Sequence, residues 1–269
     1  MDTTIIYYTE NRLAEPLFSK CQENLKKAAN GRPIISVSHK PIRLGTNICI
    51  GEQKPCWLLL YKQLFLGVKV ADTKYVAMAE HDCMYTDEHF SFKPPKDDAF
   101  YYNENHYLVQ YAQKKHVELQ GMYSRYWTQR LALSQMICNR DLLEETLDRR
   151  LSLLDKDRRL VRNILFAGEP GLSKVRIESA KKESRIKKIQ KAQELAESGR
   201  SVYLKKYLQD ALDAEKYEVF KTKIPNLDIR HDSNFTGPKR GKKRTWELEY
   251  WGKFEDIVGQ PGGKRNGTT

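Results

Sequence analysis

Short β-favouring apolar runs alternate with stretches of helical period through the first 110 residues, and that order restricts the chain to a sheet with helices on its faces. Ile5-Ile6-Tyr7-Tyr8 reads as a strand and closes at Thr9-Glu10-Asn11. Helical spacing follows through Leu17, Cys21, Leu25 and Ala28 and stops at Asn30-Gly31. Ile34 to Ser38 is a second strand. Trp57 to Val70 is a second helix, with Leu60, Leu64 and Val68 on one side. Tyr75 to Ala79 and Ala99 to Tyr102 complete the pattern as third and fourth strands. The expected class is α/β, a Rossmann-type sheet flanked by helices. In such sheets ligands sit beyond the carboxyl ends of the strands. Tyr8-Thr9, Ser38-His39 and Glu80-His81-Asp82 all fall at those ends, so they are expected to line one crevice.

The rest of the chain is less regular. His116 to Leu119 and Arg130 to Met136 read as strands. Arg140 to Leu165 reads as one helix with Leu143, Leu147, Leu151 and Leu154 on a face, broken by Gly168-Glu169-Pro170-Gly171. A polar helix is predicted from Ser173 to about Gly199 and another from Val202 to about Val219. The expected division is a core over 1–170, a basic helical insertion over 171–222, a segment returning to the core over 223–258 and a flexible tail over 259–269.

Charge separates the halves. Residues 1–170 carry 24 basic and 21 acidic side chains, while 171–269 carry 23 and 14, so +9 of the total +12 lies in the second half. Such asymmetry predicts a basic surface for a polyanion. The cations concentrate in Lys181, Lys182, Arg185, Lys187, Lys188 and Lys191, and again in Lys239, Arg240, Lys242, Lys243 and Arg244. Trp246, Tyr250 and Trp251 follow the second cluster. Cations bind phosphates without reading sequence, and interleaved rings stack on unpaired bases. No run of about 18 apolar residues is present, which excludes a spanning helix. The first residues lack the pattern of a signal peptide. Five cysteines without a C-x-x-C pair read as reduced thiols, and with them a cytoplasmic location is expected.

Glu80-His81-Asp82 carries the chemistry. Two carboxylates one residue apart on a strand share a side and can meet one ion, with His81 facing away unless the register slips. Hard divalent cations accept one or two carboxylates and complete their shells with phosphate oxygens.

With Tyr85 and His89-Phe90 beside it, this triad resembles the D-x-D-like element of glycosyltransferases of the GT-A fold. Tyr7-Tyr8-Thr9 with Asn11-Arg12, Ser36 to Pro41 with Gly45 to Ile48, Phe100 to Asn103 and Asp228-Ile229-Arg230-His231 extend the resemblance over about residues 5–140 and 226–252. Glu stands where the pattern has Asp first, and the basic insertion is extra.

The resemblance implies a GT-A-like mixed sheet. It implies that Glu80, Asp82 and His231 hold Mn²⁺ or Mg²⁺ against the diphosphate of a nucleotide sugar, of uridine type. It further implies that Tyr8, Thr9, Arg12 and His39 contact that donor. Asp97 and Asp98 are the candidate catalytic carboxylates. Joined to the basic footprint, the resemblance extends to the phage-type DNA glycosyltransferases that act on hydroxymethylated pyrimidines, with double-stranded DNA carrying a modified base as partner and no membrane. Three alternatives stand beside it: transfer to a glycan or lipid-linked glycan, a metal-dependent nuclease, and a DNA-binding protein without activity.

Overall fold

Strand β1 (Thr3–Thr9) is buried along its whole length and pairs in parallel on both sides, with β2 (Ile34–Ser38) and β4 (Tyr75–Glu80). The computed structural model of the chain describes residues 2–111, 117–125, 131–178, 202–232 and 243–259. Because β1 is central, both of its faces are apolar. Ile6 and Tyr8 enter one core with Leu64 and Val68 of α2 (Trp57–Val70), and Ile5 and Tyr7 enter another with Leu25 and Ala28 of α1 (Leu17–Ala29). This is the continuous hydrophobic signature of a strand covered on both sides. Helix α2 comes close enough to β1 that a Cβ on Gly67 would lie 2.6 Å from Ile6 Cγ2.

β3 (Thr46–Cys49), β6 (Phe100–Asn103), β9 (Met136–Asn139) and β10 (Tyr217–Phe220) complete a seven-stranded sheet in the order β10-β6-β9-β4-β1-β2-β3. β9 runs antiparallel between β4 and β6, so the sheet is mixed. A second sheet has the order β12-β8-β7-β11-β5. It comprises β5 (Cys83–Met84), β7 (His106–Tyr111), β8 (Tyr123–Arg125), β11 (Asn226–His231) and β12 (Lys243–Thr245). β11 is parallel to β7 and antiparallel to β5, which places Asp228 opposite Cys83. A short helix, α3 (Asp87–Ser91), follows β5. Among the described residues no helix is long and apolar enough to cross a membrane.

Several expected elements differ. Val117–Leu119 is a 3-10 turn, and so is Leu133–Gln135, with the strand beginning only at Met136. The helix expected from Arg140 to Leu165 is two, α4 (Arg140–Leu154) and α5 (Arg158–Ile164). The side chain of Asp157 accepts the Leu160 amide hydrogen, and a capping carboxylate starts a new helix rather than continuing the old one. After α6 (Ser173–Glu178) the expected polar helix continues into 179–201, which lies outside the described residues, as do 233–242 and the tail over 260–269. The helix α7 (Val202–Ala214) ends before Tyr217, and the β-favouring Tyr-Glu-Val-Phe run joins the main sheet beside β6. The segment expected as an insertion therefore returns one strand to the core. A last helix, α8 (Phe254–Val258), packs with α1 residues Leu17 and Cys21 in a third core.

Between α4 and β10 lies a buried ion pair. Arg150 Nε donates to Glu215 Oε1 at 2.8 Å, its terminal nitrogens reach Glu215, Gly168 O and Ser173 Oγ, and Arg150 has no exposed surface. Glu215 in turn accepts the Gly171 amide hydrogen at 3.0 Å. One guanidinium thus holds the glycine-rich break against α4.

Candidate active site

A cavity of about 540 Å³ opens beyond the carboxyl ends of β1 and β4. Its walls include Tyr8, Thr9 and Glu10 from the end of β1, His39 after β2, Glu80, His81 and Asp82 after β4, and Arg230 and His231 from β11. Trp57 and Gln63 close it from α2. Gln63 Nε2 donates to Thr9 O at 3.0 Å and Val37 O at 3.1 Å, so one amide ties α2 to the last residues of two strands. Asn11, in the left-handed region at φ 59°, turns the chain after β1. Its Oδ1 accepts the amide hydrogens of His39 and Lys40, each at 2.9 Å. A second cavity of about 270 Å³ shares Trp57, Leu60, Glu80 and Arg230 with the first and adds His106, Glu169 and Asp228.

Alternation ends with β4. Residues 81 and 82 form a turn, so His81 does not face away from its neighbours but lines the cavity with them. This departs from the strand-based expectation, and it changes the donor set. His81, Asp82 and His231 each offer a ligand atom within 4.8 Å of the others. Asp82 Oδ2 lies 3.4 Å from His231 Nε2, and the two imidazole rings have centroids 6.0 Å apart. The Ile229 amide donates to Asp82 O at 2.8 Å and fixes the β11 end against the turn. Glu80 groups with Asp82 and Cys83 instead, and its Oε1 accepts the Tyr8 hydroxyl at 2.5 Å.

Burial and crowded carboxylates together set the electrostatics at this point. Burial, then the charge of Asp82, pushes Glu80 up to about 8, against the Tyr8 hydrogen bond that favours its ionised form. Asp228 adds a third carboxylate and is paired with Arg230, whose Nη2 donates to Asp228 Oδ2 at 2.7 Å. Burial holds His81 below the ordinary imidazole value and so in its neutral form, the form that binds metal. Two imidazoles and a carboxylate fit a divalent ion of the Mn²⁺ type better than Mg²⁺, which prefers an all-oxygen shell. His39 is buried, and its Nε2 has no hydrogen-bond partner.

The other candidates fall elsewhere. Arg12 is not part of the cavity wall; its Nε donates to Glu10 Oε1 at 2.7 Å. Asp97 and Asp98 do not line either cavity. Asp97 pairs with Lys74 Nζ at 2.9 Å and accepts the Tyr75 hydroxyl at 3.0 Å, while Asp98 pairs with Lys216 at 2.8 Å. The Asp97 contacts are at the amino end of β4, and Lys216 immediately precedes β10. Five residue steps of strand, about 16 Å, separate Tyr75 from Glu80, so the Asp97 contacts lie apart from the Glu80-His81-Asp82 turn. Their exposed carboxylates are held below the usual range by hydrogen bonds to lysine, as surface ion pairs are.

Lys243 and Arg244 lie on β12, at the edge of the second sheet. Lys181, Lys182, Arg185, Lys187, Lys188, Lys191, Lys239, Arg240 and Lys242 are outside the described residues. Gln63, Trp57 and Glu169 are not singled out as site residues by the sequence, and Asp228 and Arg230 enter there only as neighbours of His231 in its motif. Gln63 alone carried a signal, a polar side chain inside an apolar helical run.

No family model matches the chain, and no curated protein matches it. Among solved structures it is similar to TarS of S. aureus in complex with UDP-GlcNAc, at 11% identity and TM-score 0.40 over 87% of this chain and 60% of that one. A glycosyltransferase involved in the glycosylation of the major capsid of PBCV-1 gives 10% identity and TM-score 0.36, over 59% and 70%. A mutant Drosophila β1,4-galactosyltransferase 7 with manganese, UDP-Gal and xylobiose gives 9% and 0.33, over 54% and 52%. This chain spans 52% to 70% of the length of those structures. Similarity at this level concerns the partial course of the backbone and assigns no activity.

Proposed function

We propose that the chain is a metal-dependent glycosyltransferase that takes its sugar from a nucleoside diphosphate sugar, of uridine type. One observation carries this reading: Asp82, His81 and His231 converge at the carboxyl end of a parallel strand, on the wall of a cavity sized for such a ligand. Those three residues would hold Mn²⁺, and the ion would offset the negative charge that develops on a departing diphosphate. Without a cation, a diphosphate would meet the carboxylates of Asp82 and Asp228, which is repulsive in a buried site.

The chain's own residues set the rest. The Tyr8 hydroxyl orients the Glu80 carboxylate beside the ion site. Arg230 presents a guanidinium suited to phosphate oxygens, restrained by Asp228. Trp57 offers a ring face and His39 Nε2 a buried polar atom for the nucleoside. Gln63 keeps the strand ends fixed while the ligand enters.

The acceptor in this reading is DNA carrying a hydroxymethylated pyrimidine. Support for it is electrostatic: the +9 net charge of residues 171–269 favours a polyanion. Manganese-dependent hydrolysis of a uridine diphosphate sugar, reduced about 100-fold or more by Asp82→Ala, tests the donor half. Mass spectrometry of hydroxymethylated DNA after incubation with a panel of nucleotide sugars tests the acceptor half. An unchanged DNA mass beside intact donor hydrolysis would send the sugar to another acceptor.

A further inference from the structure

A third cavity, of about 610 Å³, shares no residue with the two at the candidate active site. Its walls come from Asn105 and Tyr107 at the start of β7, Arg125 of β8, the turn 223–225 and Leu248 to Tyr250. The walls are fixed in place. Glu88 accepts the amide hydrogens of Lys223 and Ile224, Trp251 Nε1 donates to Pro225 O at 2.7 Å, and Asn105 Nδ2 donates to Thr222 O at 2.8 Å. Two tyrosine rings and two cations line it. The Arg125 guanidinium lies 4.4 Å from the centre of the Tyr107 ring, Lys223 is exposed, and Tyr250 keeps 58% of its surface open. The β12 register carries Lys243 to the position opposite Arg125 and Arg244 to the position opposite Ser124. Trp246, 52% exposed, follows one residue after β12. Among the described residues Glu249 is the one carboxylate in the wall.

We infer that this cavity binds an unpaired stretch of nucleic acid, its phosphates on Arg125 and Lys223 and a base against Tyr250. A neutral glycan would need the rings but not the cations, and inorganic phosphate would need the cations but not the rings. A polymer that repeats both uses both. Position adds to this. Asn105 and Tyr107 face the third cavity, and His106 between them lines the second, because successive strand residues point to opposite faces. A strand held here is therefore one β-strand away from the cavity that adjoins the donor site. The inference rests on the polyanion-acceptor reading and names the surface that serves it.

The test measures binding of a fluorescein-labelled oligothymidylate by anisotropy across a salt series, using the full chain. Lys223→Ala and Tyr250→Ala alter exposed side chains and are expected to weaken binding, Tyr250→Ala by about tenfold. They should differ in kind. Lys223→Ala should lower the salt slope by about 0.7, the loss of one phosphate contact on a single strand, and Tyr250→Ala should leave the slope alone. If the wild-type protein fails to bind at low salt, both this inference and the DNA reading fall. If the wild type binds and neither variant changes affinity, the site falls and the DNA reading stands. Loss of binding to phosphatidylserine vesicles in the variants, with oligonucleotide binding intact, would assign the surface to a membrane and overturn the inference. Manganese-dependent binding of uridine diphosphate by the wild type reports separately on the donor reading.

Discussion

Two side chains show how burial rather than type decides what a residue does here. Tyr8 would be an ordinary core aromatic if its hydroxyl did not end on Glu80 at 2.5 Å. Tyr8→Phe leaves that carboxyl group without its donor, and about 1–3 kcal/mol of stability should be lost in urea denaturation. His89 is buried with its Nε2 unpartnered, and burial lowers its pKa to about 3. The unfolded chain binds its proton near 6.5, so between about 6.5 and 3 the unfolded state holds more protons than the folded one. Stability from this group is complete above that window, should fall by about 1.4 kcal/mol for each pH unit through it, and should level off below it. His89→Leu should flatten that acid limb in a pH series of urea midpoints.

At the scale of elements, close approach and ion pairing set what the sheet tolerates. Alanine normally improves a helix interior by up to about 1 kcal/mol over glycine. At Gly67 the added methyl group meets Ile6 at 2.6 Å, and overpacking of this kind costs about 1–3 kcal/mol. Gly67→Ala should therefore lower the urea midpoint, against the helix propensity scale. Arg150→Met strands the Glu215 carboxylate in the core and should cost about 3–5 kcal/mol, while Arg150→Met with Glu215→Leu should recover much of it.

The elements also mark where sequence reading holds and where it stops. β1, β2, β4, α1 and α2 are legible because their apolar runs and turn residues agree. Tyr217–Phe220 was absorbed into a helix because four residues carry no period of their own, and only pairing with β6 makes them a strand. Asp97 and Asp98 show a related limit. An acidic pair after Pro94-Pro95 looks the same at either end of a sheet, and strand direction, unreadable locally, decides which end it occupies. His81 stays open in the sequence because alternation cannot be read through a turn.

For the molecule as a whole, the candidate site draws on both sheets, since Asp82 follows β4 and His231 ends β11. An ion bound there stabilises only the state in which the two sheets are docked. Manganese at about 100 times its dissociation constant should add about 2.7 kcal/mol to the unfolding free energy. His231→Ala should abolish that increment in a thermal-shift titration, and an equal shift in the variant would remove His231 from the ligand set.

β10 sits at the edge of the first sheet and β11 inside the second, and both follow the stretch between Glu178 and Val202. A gene divided anywhere within that stretch would encode two polypeptides, each lacking strands that the other supplies. Co-expressed, they should assemble into one particle and copurify when either carries an affinity tag.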